Sequence, residues 1–436
     1  MDQPITHGRV LRIAAPIILS NMTIPLIGVF DTAIIGQLGQ ASLIGAVGLG
    51  ATIITLFYWG FGFLRMATTG LAAQAVGRDD HNELWALLHR GVWIGAIGGI
   101  ALIILAPLWM ALAFWMAPAS ETVEPLARSY ISIRVLSAPA AIATFAMSGW
   151  LLAQERTRAL LILQVGIAGL NAGLNYLFVL QFGWGIQGVA WASFIAEYTG
   201  LCAGLAVCFW RSWAQVIPRM ANVFDVARIT HMFSVSGDIF LRSMLLQAML
   251  VSFTFWGASF GDVELAANQI LFQFWHVTAY ALDGFAFAAE ALVGHAVGRR
   301  ARAHVQRAVA LCGLWGAVGA VLTAGGIMLS APWVIDQMTT AADVRAATFD
   351  YVIYAALAPI FGFLSWLMDG VFIGATRTKD MRNMMLISAI VYFGVALVII
   401  PIWGNHGLWS AYCLSLVVRG FTMLWRYPAL LRSVSA

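Results

Sequence analysis

Long apolar runs recur along the whole chain, and each is close to the length of one membrane crossing. A hydrocarbon core of about 30 Å requires roughly 20 apolar residues per helix. Twelve runs meet this requirement, and their approximate extents are 11–36, 44–75, 91–116, 128–153, 159–181, 187–210, 238–260, 265–297, 307–330, 347–374, 384–402 and 407–428. Because the runs are long and do not alternate as barrel strands do, they predict an all-α membrane protein with twelve transmembrane helices.

The composition excludes a soluble protein and argues against nucleic-acid binding. Hydrophobic residues make up 61% of the chain and charged residues 10%, whereas ordinary globular domains carry about 25% charged residues. The net charge is +4, but the basic residues lie in short segments between apolar runs and form no stripe that would neutralise phosphates. The expected surrounding partner is therefore the lipid bilayer and not a nucleic acid.

The sequence contains neither of two familiar enzyme motifs. A Walker A loop and an HExxH zinc motif are both absent from it. Its four cysteines lie inside apolar runs without the spacing of metal ligands. We therefore expect no enzyme activity, no cofactor and no metal site, and transport without an ATP site must be driven by an ion gradient.

Basic residues concentrate on alternate connections between the runs. Eighteen arginines and lysines lie at the termini and on the connections predicted to share their side of the membrane, and two lie on the opposite connections. The positive-inside rule then predicts both termini in the cytoplasm, which an even number of crossings also requires. Because the first run is too long for a signal peptide, we expect an uncleaved first span in a bacterial inner membrane.

The two halves of the chain repeat. GLAAQAVGR (Gly70–Arg78) returns as LVGHAVGR (Leu292–Arg299) at a constant offset of 221 residues. Six helices per half make the repeats parallel, related by an axis along the membrane normal. We therefore predict two pseudo-symmetric six-helix lobes, 1–210 and 238–436, joined by a cytoplasmic linker at 211–237. This organisation favours a transporter that works by alternating access.

Asp31 is the only charge in the apolar stretch LIGVFDTAIIGQLG. An ionisable group at membrane depth is costly, and it indicates a functional site by default. The same run carries Pro16 and Pro25, which remove backbone hydrogen bonds and favour a bend. Neutralising Asp31 with a proton would remove its desolvation cost, which predicts a proton-driven switch in this helix. A static, hydrogen-bonded core aspartate is the alternative interpretation.

Polar partners for Asp31 are present on the fifth and sixth runs. Asn171 and Asn175 are four residues apart, and so are Ser193 and Glu197, so each pair shares one helical face. Amides and hydroxyls hold either a carboxylate or a carboxylic acid, which suits a site that changes protonation. Helix packing through amide contacts is the alternative interpretation of the asparagine pair.

A second set of intramembrane charges lies in the other half. His276, Asp283 and Glu290 recur at intervals of seven on the eighth run, and Asp369 lies in the tenth. Arginines inside the runs that are candidates to pair with these acids or with those of the first half are Arg65, Arg134 and Arg242. The set predicts ion pairs that fix helix register, a second cation path or part of the substrate cavity. An intramembrane enzyme built on the eighth run is a further alternative, but no nucleophile accompanies these side chains.

Several motifs together resemble the multidrug and toxic compound extrusion (MATE) family, and within it the branch of DNA-damage-inducible protein F. The motifs are FDTAIIGQLG, FLRMATTGLAAQAVGR, IRVLSAPA, ALDGFAF and LMDGVFIGATRTKDMRN, and the resemblance covers nearly the whole chain. It implies twelve helices in two lobes of six. It also implies export of organic cations or other amphipathic small molecules in exchange for H⁺ or Na⁺.

The resemblance also implies roles for individual residues. Asp31 matches a first-span aspartate that takes part in cation and drug exchange, and Pro16 matches a proline associated with bending of that helix. Asn171 and Ser193 match polar members of the same network. At position 175 several relatives have aspartate, so this chain departs from them there. Asp369 resembles an aspartate that other branches use for Na⁺, but its companions on the seventh run are not evident.

These observations predict a proton-coupled antiporter that acts as a monomer. Protonation of Asp31 from outside would rearrange the first helix and favour release of the drug. A Na⁺-coupled drug antiporter is one alternative. A flippase for lipid-linked precursors is another, and it would need intramembrane arginines such as Arg65, Arg134 and Arg242 for a pyrophosphate.

Overall fold

The structure is a computed structural model that describes residues 4–116, 119–210 and 220–435. Within its helices the side chains at 24–26, 29, 41, 220–221 and 435 lie outside the described set. All regular secondary structure in the described ranges is helical. This agrees with the expectation from the sequence, because only hydrogen bonds satisfied within the segment or in a closed barrel are tolerated in lipid.

The described residues of the first half form nine α-helices. They are α1 (His7–Gly36), α2 (Ala41–Trp59), α3 (Phe63–Gly77), α4 (His81–Ile104), α5 (Ala106–Met116), α6 (Val123–Arg134), α7 (Ala138–Ala153), α8 (Thr157–Asn175) and α9 (Gly185–Phe209). A single 3₁₀ turn, Val135–Ser137, joins α6 to α7, and a π-helical segment, Tyr176–Gln181, continues α8. Because these junctions are short, the nine helices make six apolar crossings.

The described residues of the second half form one short helix and five long ones. They are α10 (Met220–Val223), α11 (Val226–Ser259), α12 (Asp262–Gly298), α13 (Arg302–Met338), α14 (Ala342–Gly374) and α15 (Thr378–Ser435). The 58 residues of α15 are far more than the roughly 20 that span a bilayer. Gly404 interrupts α15 with a φ of 53°, a left-handed conformation that suits glycine, so α15 makes two crossings.

Twelve helical crossings result, as the sequence predicts. Ten stretches in the described part of the chain are long and apolar enough to span a membrane. One of these ten is α15, which Gly404 divides in two, and α1 with its 30 residues supplies the remaining crossing. Within the predicted linker 211–237, α11 begins at Val226, and residues 211–219 lie outside the described set, so the linker stays a prediction.

Two compact units can be distinguished from the contacts along the chain. One comprises residues 19–72 and 79–232, and the other comprises 1–18, 73–78 and 233–436. The helix α1 therefore contributes to both units. It passes from one unit to the other after Ile18, two residues beyond Pro16. The predicted lobes 1–210 and 238–436 stay a prediction.

The repeated glycine motif has a packing role in the second of these units. A Cβ atom on Gly77, at the end of α3, would lie 2.3 Å from the carbonyl oxygen of His295 on α12. A Cβ atom on Gly298 would lie 2.3 Å from the carbonyl oxygen of Gln74. The two copies of the motif therefore cross at their glycines, and a larger residue at either position would force the backbones apart.

Candidate functional site

Asp31 and three uncharged polar side chains from two other helices lie together in the first half of the chain. Asp31 lies near the end of α1, Asn171 and Asn175 lie in the last turn of α8, and Ser193 lies in α9. Their exposed fractions are 6% for Asp31, 1% for Asn171, 0% for Asn175 and 5% for Ser193. We call these four residues the Asp31 chain.

Hydrogen bonds connect the Asp31 chain from end to end. The amide nitrogen of Asn175 donates to Oδ1 of Asp31 at 2.5 Å and to Oδ1 of Asn171 at 3.2 Å. The amide nitrogen of Asn171 in turn donates to Oγ of Ser193 at 3.0 Å. The structure therefore brings together the four residues that the sequence predicts as a group. The side chain that donates a hydrogen bond to Asp31, that of Asn175, is uncharged.

The local backbone explains why both asparagines face the same way. Their spacing of four places them on one face of α8. The α-helix ends at Asn175, and the π-helical segment Tyr176–Gln181 follows at once. A π-helical turn inside a helix is rare and occurs frequently at functional sites. The wider turn therefore begins directly after the residue that contacts Asp31.

One fully buried atom of the Asp31 chain has no hydrogen-bond partner among the described residues. Oδ1 of Asn175 is fully buried and accepts no hydrogen bond, whereas the nitrogen of the same amide serves two acceptors. An unsatisfied buried acceptor costs about 1–3 kcal/mol. The nitrogen of the Asn175 amide therefore makes two hydrogen bonds and its oxygen makes none, although the amide lies beside a titratable acid.

A half-buried ion pair lies next to the Asp31 chain. Arg134, at the end of α6, donates to Oε1 of Glu197 on α9 at 2.9 Å and also donates to Oγ of Ser137. Both charges act electrostatically on Asp31, with opposite signs. Glu197, which the sequence suggests as a polar partner of Asp31, instead pairs with Arg134.

A different arrangement surrounds Asp369 in the second half. Oδ2 of Asp369, on α14, accepts from the guanidinium groups of Arg242 on α11 and Arg419 on α15. The exposed fractions of the three residues are 6%, 6% and 2%. Asp283 and Glu290 on α12 act electrostatically on Arg242. This group, the Asp369 triad of Asp369, Arg242 and Arg419, is a set of buried charges in which one carboxylate faces two guanidinium groups.

Arg419 is the site residue that the sequence does not single out. The sequence offers Arg242 as a candidate partner for the acids of the second half, and Asp369 is the acid that it contacts. Arg419, which lies 50 residues after Asp369 in the sequence, pairs with the same Oδ2 atom of Asp369. The available signal was an arginine inside the apolar run that forms the last crossing.

The remaining candidates lie apart from these two groups. His276 is exposed, and its ring contacts are with Phe272, Trp275 and Tyr280. Arg65 lies half-buried in α3. Pro16 lies half-buried in α1, and the side chain of Pro25 falls outside the described residues. Among the described residues no group of three or more His, Cys, Asp or Glu side chains is placed to hold a metal ion.

The chain is similar in sequence to known proteins along both halves. The MatE family model matches residues 16–177 and 239–398, one segment in each half. DNA damage-inducible protein F of Escherichia coli (strain K12) is 35% identical over 420 residues, covering 95% of this chain and 91% of the relative. The probable multidrug resistance protein NorM of Rhizobium meliloti (strain 1021) is 26% identical over 468 residues, covering 99% and 95%.

Solved structures share the same fold. The Vibrio cholerae MATE transporter VcmN in its bent form superposes with a TM-score of 0.89 over 98% of this chain and 97% of that one, at 19% identity. A MATE protein in a bent conformation gives a TM-score of 0.88 over 100% of both chains at 17% identity. At these identities the likeness shows the architecture alone.

Proposed function

The chain belongs to the MATE family of secondary transporters, and on that premise we propose that it is a proton-coupled antiporter exporting amphipathic or cationic organic compounds. Proteins of this family are transporters driven by cation gradients and not enzymes. The proposal adds the coupling ion, the residue that binds it and the class of substrate. Multidrug resistance proteins named NorM among the relatives support the substrate class.

The observation that carries the proposal is the uncharged shell of Asp31. No arginine or lysine among the described residues forms an ion pair with Asp31, and its hydrogen-bond donor is the amide of Asn175. A buried carboxylate held by neutral groups changes charge at a lower cost than one held by a guanidinium, because loss of the charge breaks no ion pair. Asp31 is therefore the acid best suited to gain and lose a proton during transport.

Coupling to Na⁺ has less support. The alternative site for Na⁺ is Asp369, by its resemblance to an aspartate of other branches. In this chain two guanidinium groups already contact Asp369. Guanidinium groups have no acceptor atoms and repel a metal cation. Arg242 and Arg419 therefore supply the positive charge that a bound Na⁺ would supply.

Protonation of Asp31 would act through α1. Loss of the charge replaces the charge-assisted hydrogen bond between Asn175 and Asp31 with a weaker bond between neutral groups, so α1 is held less tightly at Asp31. Pro16 lacks the N–H that would hold α1 straight at that point, so bending there breaks few bonds. We place residues 1–210 and 238–436 in two lobes that alternate access. We place both termini in the cytoplasm of a bacterial inner membrane and expect a monomer to suffice.

Transport by an Asp31→Asn variant tests the proposal. Purified wild type and variant are reconstituted in vesicles, and efflux of an ethidium-like cation is measured with the pH gradient and the Na⁺ gradient imposed separately. We expect the wild type to respond to the pH gradient and the variant to lose this response. Asp343→Asn is the matched control, because Asp343 is an exposed acid at the start of α14.

Three outcomes would contradict the proposal. Undiminished efflux by Asp31→Asn would remove Asp31 from the mechanism. Efflux driven by the Na⁺ gradient alone would favour the sodium antiporter. Binding of a lipid pyrophosphate without any effect of organic cations would favour the flippase. The flippase has less support because Arg134 and Arg242 are already paired with carboxylates.

A further inference from the structure

The uneven use of the Asn175 amide matches one charge state of Asp31 only. An ionised carboxylate accepts hydrogen bonds and donates none, so the nitrogen of Asn175 is the correct atom to face it. A protonated Asp31 carries an O–H group, which needs an acceptor. The nearest spare acceptor in the Asp31 chain is Oδ1 of Asn175, which is fully buried and unpartnered.

We propose that the side-chain amide of Asn175 rotates when Asp31 changes protonation, so that its nitrogen faces the carboxylate and its oxygen faces the carboxylic acid. This inference rests on the proposed proton coupling and adds a positioning role for Asn175. In the protonated state the O–H of Asp31 donates to Oδ1 of Asn175. The nitrogen of Asn175 then gives up its bond to Asp31 and keeps the bond to Asn171, so each atom of the amide has one partner.

The other end of the Asp31 chain holds the amide during this rotation. Oδ1 of Asn171 accepts from Asn175 at 3.2 Å, and the nitrogen of Asn171 is occupied by Ser193 at 3.0 Å. Asn171 therefore presents its oxygen to Asn175 in either state and serves as the pivot. The proton moves between the transport pathway and Asp31 only. No N–H or O–H bond of Asn171, Asn175 or Ser193 is broken.

Charged and titratable groups around Asp31 come from the helices packed near it. They are Arg134 and Tyr130 on α6 and Glu197 on α9. Arg134 and Glu197 pair with each other at 2.9 Å, so their charges largely compensate at Asp31. Tyr130 is buried, and because phenols are neutral near neutral pH it adds no charge there. The hydrogen-bonding groups that contact Asp31 directly are therefore those of the Asp31 chain.

A second buried asparagine pair serves as an internal reference. The amides of Asn268 on α12 and Asn405 on α15 donate to each other at 2.9 and 3.0 Å, and the indole nitrogen of Trp409 donates to Oδ1 of Asn268 at 2.8 Å. All four amide atoms are used, and an indole N–H only donates. The group of Asn268, Asn405 and Trp409, which we call the Asn268 clasp, is therefore locked in one orientation.

Infrared difference spectroscopy tests the rotation. Reconstituted wild type with isotope-labelled asparagine side chains is titrated from alkaline to acidic pH. We expect the carboxylic acid band of Asp31 to appear together with a shift of one asparagine C=O band to lower frequency. Both features should be lost in Asp31→Asn, and the asparagine band should be lost in Asn175→Leu. Asn405→Leu, which alters the locked pair, should keep both.

The outcomes separate this inference from the proposed function. An Asp31 acid band without any accompanying asparagine band overturns the rotation and leaves proton coupling intact. No acid band at any pH overturns both. An asparagine band that survives in Asp31→Asn also overturns the rotation. Because the wild-type spectra alone contain the decisive bands, the test does not depend on whether Asn175→Leu folds.

Discussion

Asp31 and Asp369 are both buried carboxylates inside transmembrane helices, but they are held by opposite kinds of partner. Asp31 accepts from the neutral amide of Asn175, whereas Asp369 accepts from two guanidinium groups. A neutral partner leaves the charge of the acid open to change, while paired guanidinium groups make loss of the charge costly. Similar acids in the two halves are therefore suited to different tasks, coupling in one and structure in the other.

The asparagines repeat this contrast. In the Asp31 chain one acceptor is idle, and the chain ends in a hydroxyl that both donates and accepts. In the Asn268 clasp every amide atom is bonded, and the indole of Trp409 fixes the direction. A polar network with an unused acceptor can therefore rearrange its hydrogen bonds, whereas one in which every amide atom is bonded is fixed in one arrangement.

The largest effect should follow removal of the Asp369 carboxylate. Asp369→Leu leaves Arg242 and Arg419 buried without their counter-charge, and breaking a buried pair in this way costs about 3–5 kcal/mol. We expect this loss in the free energy of unfolding, measured in detergent by chemical denaturation. Asp31→Leu should cost less, because the amide nitrogen of Asn175 keeps its bond to Asn171.

A compensated variant sharpens this prediction. Replacing the whole Asp369 triad with apolar residues, as Asp369→Leu with Arg242→Met and Arg419→Leu, should recover part of the lost stability, because no guanidinium group then stays buried without Asp369. The recovery should be incomplete, because Asp283 and Glu290 lose the positive charge of Arg242. Equal destabilisation by Asp31→Leu and Asp369→Leu would contradict the division of tasks. Loss of proton-driven efflux in a well-folded compensated variant would do so as well.

A smaller effect is expected from the Asn268 clasp. Asn268→Leu removes the acceptor of Trp409 and takes the α12 partner from the amide of Asn405, and each unsatisfied buried group costs about 1–3 kcal/mol. The unfolding free energy should fall accordingly, while the dependence of efflux on the pH gradient should stay that of the wild type. A changed pH dependence would show that the clasp takes part in coupling.

Most of the fold is predictable from the sequence, and so are many of the residues in the Asp31 chain and the Asp369 triad. Apolar length predicts the twelve crossings, because the bilayer thickness fixes it. Spacing of four predicts that Asn171 and Asn175 share a face. Their contact with Asp31 follows only when helices distant in sequence pack together, so the sequence offers these residues as candidates without fixing which of them touch.

The errors have the same physical origin. Glu197 lies four residues from Ser193 and shares its face, yet its carboxylate pairs with Arg134, because an acid beside Asp31 would leave two negative charges uncompensated. Arg419 lies on the last crossing, and periodicity within one helix carries no information about a partner on another. The idle oxygen of Asn175 depends on hydrogen-bond geometry, which no spacing rule contains.

The smallest effect is expected at Ser193, the last residue of the Asp31 chain. It tests how far along the Asp31 chain the hydrogen bonds rearrange when Asp31 changes protonation. Ser193→Ala leaves the nitrogen of Asn171 without its acceptor, which should lower the unfolding free energy by about 1 kcal/mol. The bond from Asn171 to Ser193 is the same in both states of Asp31, so it adds equally to each. The pH dependence of efflux should therefore stay unchanged in Ser193→Ala, measured in vesicles beside the wild type. A displaced pH profile would mean that the rearrangement extends through Asn171 to α9, and Asn171 would then be a moving part and not the pivot.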